Sequence, residues 1–425
     1  LPNDNVKSIS GSEIPSGEAP PYTPLEGKTV LLGITGGIAA YKAADYSKKI
    51  RALGARVIPV MTGHATEFVS PITFAALTGE KVYTDLFCVE GSEIIPHIEL
   101  ARSADLFLVL PATANIIGKA ANGLADDFLS TLLLAFSGTA LFSPSMNPAM
   151  YKHPATQANI ERLKILGYKV IEPEIGETAC GDRGQGRLAQ WSVVREAILK
   201  AISPQTLSGM NVLVSAGPTR EYLDPVRYVS NRSSGVMGYA MAMVAFRRGA
   251  RVTLVSGPVS IPPPPGIELC PVETAGEMKE VIGKLSQDAH VIIMTAAVAD
   301  YTPAVKADQK IKKDTSELHL DLVRTNDILS HLVRSRKGRQ IIVGFCAETQ
   351  DLKAQALKKI SIKGVDLLIA NDVSQPDAGF DVPNNRVLIV SADGDVEALP
   401  LLHKEEVGER VWDRIQDLLT QKLTD

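Results

Sequence analysis

Apolar residues in this chain take two recurring forms, short continuous runs and longer stretches with helical spacing, and the two alternate. In "KTVLLGITGGIAAYKAADYSKKIRALGARVIPVMT" the run at 28–34 predicts a buried strand, Thr35-Gly36-Gly37 a turn, and 38–53 an amphipathic helix. Gly54 ends that helix and 56–61 predicts a second strand, completing a βαβ unit. The same plan returns after residue 208, with "NVLVSAGPT" as strand and turn, "GVMGYAMAMVAFRRG" as helix and "ARVTLVSGP" as strand. The two helix exits share a spelling, "GARV" at 54–57 and again at 249–252. A third strand follows in each half, "ADLFLVLPATAN" at 104–115 and "AHVIIMTAAVAD" at 289–300. Both break into small and polar residues where a strand would leave its sheet. Strands alternating with helices predict an α/β chain of two tandem domains, each a doubly wound, mostly parallel sheet with ligands at the carboxyl ends of its strands.

Length agrees, since 425 residues suit two domains that each bury their own core. Residues 1–26, rich in Pro, Gly, Ser and Glu, read as a disordered tail and not as a signal peptide. The chain opens on Leu and not Met, as a trimmed start would. A first domain over 27–203, a polar linker at 204–209 and a second domain over 210–425 are expected. With 45% hydrophobic and 22% charged residues the composition is that of a soluble globular protein. A net charge of −4 gives no bulk attraction to nucleic acid or anionic membranes, and no apolar run reaches a membrane span. Cys88, Cys180, Cys270 and Cys346 have no metal-ligand spacing and no CxxC pair, which fits a reduced, cytoplasmic setting. Cys270 and Cys346, beside strand-like runs, are expected to be core thiols. Cys180 lies in "ETACGDRGQGRL", too rich in Gly and charge for a core.

Neither half carries GxGxxG, the second strands end without an acid for an NAD ribose, and no GxxxxGK[ST] occurs. What remains is a Gly turn facing a helix start, a generic phosphate cradle. Hydroxyls at Thr35, Thr62 and Thr113, with Asn115, suit a mononucleotide such as FMN. The adjacent acids Asp126 and Asp127, beside the apolar run "FLSTLLLAF", have two readings, as caps of the helix that follows or as part of a site.

Longer motifs narrow the choice. "PHIELA", "PATANIIGKAANGLADDFLS", "SMNPAMYKHPATQANIERL" and "ACGDRGQGRL" occur in that order, and together they resemble the flavin-dependent phosphopantothenoylcysteine decarboxylases. "SAGPTREYLDPVRYVSNRSSGVMGYA", "TAAVADY", "KIKK", "VGFCAET" and "ANDVS" resemble phosphopantothenoylcysteine synthetase. Fusion in this order is similar to the bacterial bifunctional enzymes of coenzyme A synthesis, and the match covers about residues 27–425. The resemblance implies a flavodoxin-like first domain and a Rossmann-like second one. It also implies small-molecule substrates and a homo-oligomer built of trimers combined into a dodecamer, with the ligase halves paired.

For the first domain the resemblance implies that FMN, held at Gly36, Gly37, Ile38, Thr62, Thr113 and Asn115, takes two electrons from the cysteine CH2–SH. The C=S group so formed accepts the electrons released as CO2 leaves, and a proton and a hydride must then return. Asn147, with Met146, Met150 and Tyr151, is implied as the substrate clamp, with His97 close by. Cys180, on a Gly-rich flap, is implied as the proton donor, with Arg187 either its charge partner or solvated. Tyr151 stands where relatives usually have Trp.

For the second domain the resemblance implies CTP and Mg²⁺, an acyl-cytidylate, and attack by the cysteine amine. Asp300, Lys310, Thr325, Asn326, Asp327, Ile328, Phe345, Lys359 and Lys363 are implied around the nucleotide, with no metal ligand identified. Lys359 and Lys363, four apart, share one helix face. Asn231 precedes a Gly-rich helix start suited to the acyl group or a phosphate. Val236 stands where relatives commonly have Lys. A flavin-binding regulatory protein is the alternative in another class, and a simple dehydrogenase is disfavoured by the missing fingerprint.

Overall fold

Buried apolar runs become parallel strands here because only a strand covered on both faces has no polar face to wet. The computed structural model describes residues 20–86, 95–312, 318–348, 350–372, 377, 379 and 382–424. Cys88, Lys313, Thr349, the end of "ANDVS" and most of the expected tail lie outside them. The chain divides into two compact units, 23–203 and 204–425, the latter together with 1–22.

In the first unit β1 (Thr29–Ile34), β2 (Arg56–Met61), β3 (Leu106–Ala112), β4 (Thr139–Pro144) and β5 (Lys169–Val170) form one sheet in the order β2-β1-β3-β4-β5. Every pairing is parallel. This is the flavodoxin-like order, whose direction of winding reverses between β1 and β3. Alternate residues of β1 serve opposite cores. Val30, Leu32 and Ile34 pack under the helices Ala40–Ala52 and Trp191–Ile202, while Leu31 faces the helices Ala114–Asn122 and Phe128–Ala135. An antiparallel hairpin, β6 (Glu174–Glu177) and β7 (Arg183–Arg187), follows the sheet.

The second unit holds an eight-stranded sheet in the order β12-β11-β8-β13-β16-β17-β19-β20. Its strands are β8 (Asn211–Ala216), β11 (Arg251–Ser256), β12 (Glu268–Pro271), β13 (Val291–Met294), β16 (Ile341–Glu348), β17 (Leu367–Asp372), β19 (Val387–Ser391) and β20 (Val396–Ala398). Pairings from β12 to β17 are parallel, and the β17–β19 and β19–β20 pairings at one edge are antiparallel. Short antiparallel pairs lie outside it: β9 (Arg220–Tyr222) with β10 (Tyr228–Ser230), β14 (Tyr301–Pro303) with β15 (Leu322–Arg324), and β18 (Asn384–Asn385) with β21 (Leu402–His403). Both units are therefore doubly wound, mostly parallel α/β layers, as the sequence pattern predicts.

The shared "GARV" has one physical cause. Gly54 and Gly249 leave their helices at φ +97 and +95, where a side chain is strained, and each returns the chain at once to a strand. Two expectations at the boundaries need correction. Leu25, placed in the tail, is buried in the first core, and its N–H donates to the Leu53 carbonyl at 2.9 Å. Leu207, placed in the linker, is buried in the second core. Each is the apolar residue of an otherwise polar stretch, and composition averages such a residue away.

The last helix, Lys404–Thr424, closes one face of the second sheet. Trp412 is fully buried there, and its Nε1–H donates to the Met241 carbonyl at 2.9 Å. Arg247, 1% exposed, meets Glu405 at 2.6 Å, and Arg248 meets Asp413 at 2.7 Å. No helix among the described residues is long and apolar enough to cross a membrane. Trp412→Ala should destabilise the second unit by about 3–5 kcal/mol, the usual cost of emptying an aromatic site. Calorimetry would register this as a lowered transition for that unit, with the first unit's transition unmoved.

Candidate active sites

The first site forms where β1 and β3 part. Thr35, buried at the end of β1, donates its hydroxyl to the Pro111 carbonyl at 2.6 Å and accepts the Thr113 N–H at 3.2 Å, which ties the two strand exits together. Gly36 and Gly37 follow as a bare backbone turn. A Cβ on Gly36 would lie 2.4 Å from the His64 Cβ, so glycine is what lets this turn seat against the end of β2. Thr62 and Thr113 cap the helices after β2 and β3, accepting the N–H groups of Ala65 and Ile116.

A cavity of about 1140 Å³ opens over these turns. Gly36, Gly37, Ile38, Thr62, Thr113 and Asn115 all line it, and so do Met146, Asn147, Met150, Cys180 and Arg187. The expected cofactor turn, clamp and flap cysteine thus share one space. Its floor offers backbone N–H groups at helix starts, which suits a phosphate, and its volume suits a flavin mononucleotide. The residues present fit that group.

Two expected residues are elsewhere. Tyr151 is buried in the core, and its hydroxyl donates to Glu172 Oε2 at 2.8 Å. Burial and the Glu172 carboxylate together push that phenol well above its usual range. It follows Met150 on a helix, and successive helical side chains diverge by about 100°, so one lines the cavity and the next enters the core. His97, the second residue of the helix Pro96–Ser103, stands edge-on to Phe128, with ring centroids 6.4 Å apart, and is not among the residues that line the cavity.

The acid pair resolves mainly toward capping. Asp127 forms a capping box with Ser130 at the start of the helix Phe128–Ala135. Lys119 Nζ bridges both acids, at 2.6 Å from Asp126 and 2.8 Å from Asp127. Burial pushes the Asp127 carboxyl up, but Lys119 and the Ser130 donors outweigh it and hold the group below its usual range. Asp127 and Lys119 also reach the cavity wall, so the capping and site readings meet in one residue. His64, another wall residue, was not anticipated; its only sequence signal is its place just after the Thr62 cap.

The second site is a cleft of about 920 Å³ at the carboxyl ends of β13, β16 and β17. A Cβ on Gly238 would lie 2.4 Å from Thr295 Oγ1 and 2.6 Å from the Ala216 Cβ, so the helix Val236–Arg247 starts hard against the sheet. Asn231 and Val236 line the cleft, and Asn231 Nδ2 donates to the Val298 carbonyl at 2.9 Å. Asp300, Thr325, Asn326, Asp327, Ile328, Phe345, Lys359 and Lys363 line it as well. Lys363 pairs with Asp327 at 2.5 Å, and Lys359 pairs with Glu348. The lysine face is therefore turned to the cleft and held by carboxylates.

Lys310 is exposed and not among the lining residues. It sits on the loop after β14, beside Ile311, whose N–H donates to the buried Asp224 at 3.1 Å. Cys346 packs against the core, as expected, and also lines the cleft. Burial pushes its thiol up to about 11 against the pull of Lys359, so it is a neutral wall at physiological pH. The sequence marks Asn371 only as part of the "ANDVS" motif. It presents to the cleft a buried Oδ1 that has no hydrogen-bond partner among the described residues. Asn385 and Lys404 join from the far end of the chain, where no local pattern announces them.

Both units match known families. The family described as Flavoprotein matches residues 18–203, and the DNA/pantothenate metabolism flavoprotein C-terminal domain matches 207–419. The coenzyme A biosynthesis bifunctional protein CoaBC of Bacillus subtilis (strain 168) is 45% identical over 401 residues, 93% of this chain and 98% of that one. The protein of the same name from Escherichia coli (strain K12) is 42% identical, over 92% of this chain and 97% of its own. A crystal structure of the C-terminal domain of such a protein aligns at 39% identity and a TM-score of 0.44, covering 51% of this chain and 99% of that one. The chain belongs to the family of bifunctional coenzyme A biosynthesis proteins, flavoproteins that join a decarboxylase to a ligase.

Proposed function

We propose that residues 204–425 join 4'-phosphopantothenate to cysteine with CTP, and that residues 23–203 decarboxylate the resulting 4'-phosphopantothenoylcysteine to 4'-phosphopantetheine with FMN. The observation that carries this reading is that Asn147, Met146, Met150 and Cys180 share one cavity with the Gly36-Gly37 turn.

FMN, once bound, supplies the two-electron chemistry. Gly36, Gly37 and the helix starts at Thr62 and Thr113 hold its phosphate end, with Ile38 and Asn115 beside it. Asn147 holds the substrate carboxylate with its amide N–H, and Met146 and Met150 form apolar walls. Cys180 delivers its thiol proton to the carbon that CO2 has left. Arg187 keeps positive charge on the wall near this flap. Ile38 and Tyr41, each 60% exposed at the cavity, give a neighbouring subunit an apolar surface to cover, which supports a homo-oligomer. The unpaired cysteines Cys180, Cys270 and Cys346 support a reducing, cytoplasmic setting.

In the second unit Lys359 and Lys363 exchange their carboxylate partners for the triphosphate of CTP. Mg²⁺ enters with that triphosphate. Among the described residues no group of three or more His, Cys, Asp and Glu stands ready to hold a metal. Lys310, beside the anchored Ile311, reaches the nucleotide once it is bound and supports pyrophosphate departure. Asn231 hydrogen-bonds the acyl intermediate while the amine attacks. Backbone donors at the Gly235 start take the place of the ammonium that Val236 lacks.

Incubating the protein with phosphopantothenate, cysteine, CTP and Mg²⁺ and weighing the products tests the whole reading; phosphopantetheine is expected. Bound flavin with neither CO2 nor pyrophosphate released would favour a regulatory protein instead. Gly36→Ala should purify with little flavin per chain, because its Cβ collides with His64, whereas retention of the full yellow colour would remove the turn from the cofactor site. Cys180→Ser should still release CO2 yet stall before phosphopantetheine, since a hydroxyl is a far weaker acid than a thiol. Normal phosphopantetheine yield would exclude Cys180 as the acid. Without cysteine, Lys310→Gln should form no acyl-cytidylate, and Asn231→Asp should form some but convert it poorly when cysteine is added. The reverse pattern would exchange the two roles.

A further inference from the structure

Cys180 sits at the tip of the β6–β7 hairpin, and that hairpin is docked rather than free. Met146 N–H donates to the Gly186 carbonyl at 2.9 Å. A Cβ on Gly186 would lie 2.3 Å from the Met146 carbonyl oxygen, and one on Gly184 would lie 2.8 Å from the Pro148 Cβ. Strand β7 therefore runs in backbone contact with the segment that carries Asn147, and glycine at both positions permits it.

The turn itself is tied back to that segment. The Asp182 carbonyl accepts the Thr178 N–H at 2.9 Å and the Thr178 hydroxyl at 3.1 Å, and Gly181 N–H donates to the Thr178 carbonyl at 2.9 Å. The Asp182 carboxylate is left to accept a short hydrogen bond, 2.6 Å, from Asn147 Nδ2. At its other end Asn147 Oδ1 accepts the Ala149 N–H at 2.8 Å. An amide so held has its orientation fixed, with oxygen on the helix start, nitrogen on the carboxylate, and one N–H left over. Asp182 itself is not among the residues lining the cavity.

We propose that Asp182 is a positioning residue: its carboxylate orients the Asn147 amide and couples it to the Cys180 turn, so that the substrate contact and the proton donor move as one element. The inference rests on the roles given above to Asn147 and Cys180. Its physical basis is one charge-assisted hydrogen bond between two short loops, whose loss is worth roughly tenfold or more in the populations it controls. An asparagine at 182 keeps an acceptor oxygen in the same place; an alanine does not.

The test uses the flavin-loaded full chain. Site-resolved hydrogen exchange should be about tenfold faster across residues 178–182 in Asp182→Ala, equally so in Asn147→Ala, and no faster in the double variant. Asp182→Asn should stay near wild type. Equal exchange in Asp182→Ala and wild type, or single effects that multiply in the double variant, would overturn the coupling. In single turnovers with phosphopantothenoylcysteine, Asp182→Ala should need more substrate for half-maximal flavin reduction and should reoxidise slowly. Asp182→Asn should recover most of both. Unchanged turnover in Asp182→Ala would overturn the positioning role, and so would loss of flavin or of assembly, which would make Asp182 merely structural. A wild-type protein that never reduces its flavin with this substrate would instead remove the roles of Asn147 and Cys180, while the exchange measurement would still decide whether Asp182 couples the two loops.

Discussion

Both units depend on the requirement that a parallel strand be covered on its two faces and be followed by a crossover. That requirement sends every strand of the first sheet, and the mutually parallel strands β12 to β17 of the second, out through the same edge of their sheet. Loops, helix starts and unpaired backbone N–H groups therefore collect on one side of each sheet without any residue being selected for chemistry. The Thr35–Pro111 bond and the seating of Gly238 against Thr295 and Ala216 then hold the exits open at a fixed separation. What remains for the sequence is to furnish an opening that the topology has already made.

The furnishing is electrostatically balanced in both places. Lys119 is shared by Asp126 and Asp127, Lys359 by Glu348, and Lys363 by Asp327. A cation left alone in a half-buried cleft would be costly, and in each place a carboxylate offsets it. Under the proposed function, an entering phosphate would compete with that carboxylate, and binding would be an exchange of partners in place of the filling of a vacant charge. Discrimination follows, because a ligand that brings less charge than the carboxylate it displaces gains little.

How much of this was legible in the sequence divides along a physical line. The strands, the Gly turns and the two-unit plan were readable because burial and backbone geometry act locally and leave a periodic trace. Among the residues lining the openings, Thr35, Gly36 and Gly37 were readable because they follow β1 directly, whereas Asp300 and Phe345 were reached only through the family resemblance. Tyr151 was misread because the direction of one side chain depends on its rotation about an element, and that differs sharply between neighbours. Leu25 and Leu207 were misread because a single apolar residue in a polar stretch is invisible to composition. Asn385 and Lys404 were beyond reach, since only tertiary contact brings them to the cleft.

The burial of Trp412 against Met241 sets an order of events at the ribosome. Everything the first core needs lies within residues 23–203, so that unit can fold while the rest is still being made. The second core opens at β8 but takes its closing aromatic from residue 412, so about two hundred residues must wait with one face of their sheet uncovered. During that interval the nascent chain exposes apolar surface. Chaperone demand for this protein should therefore fall mainly on its second half.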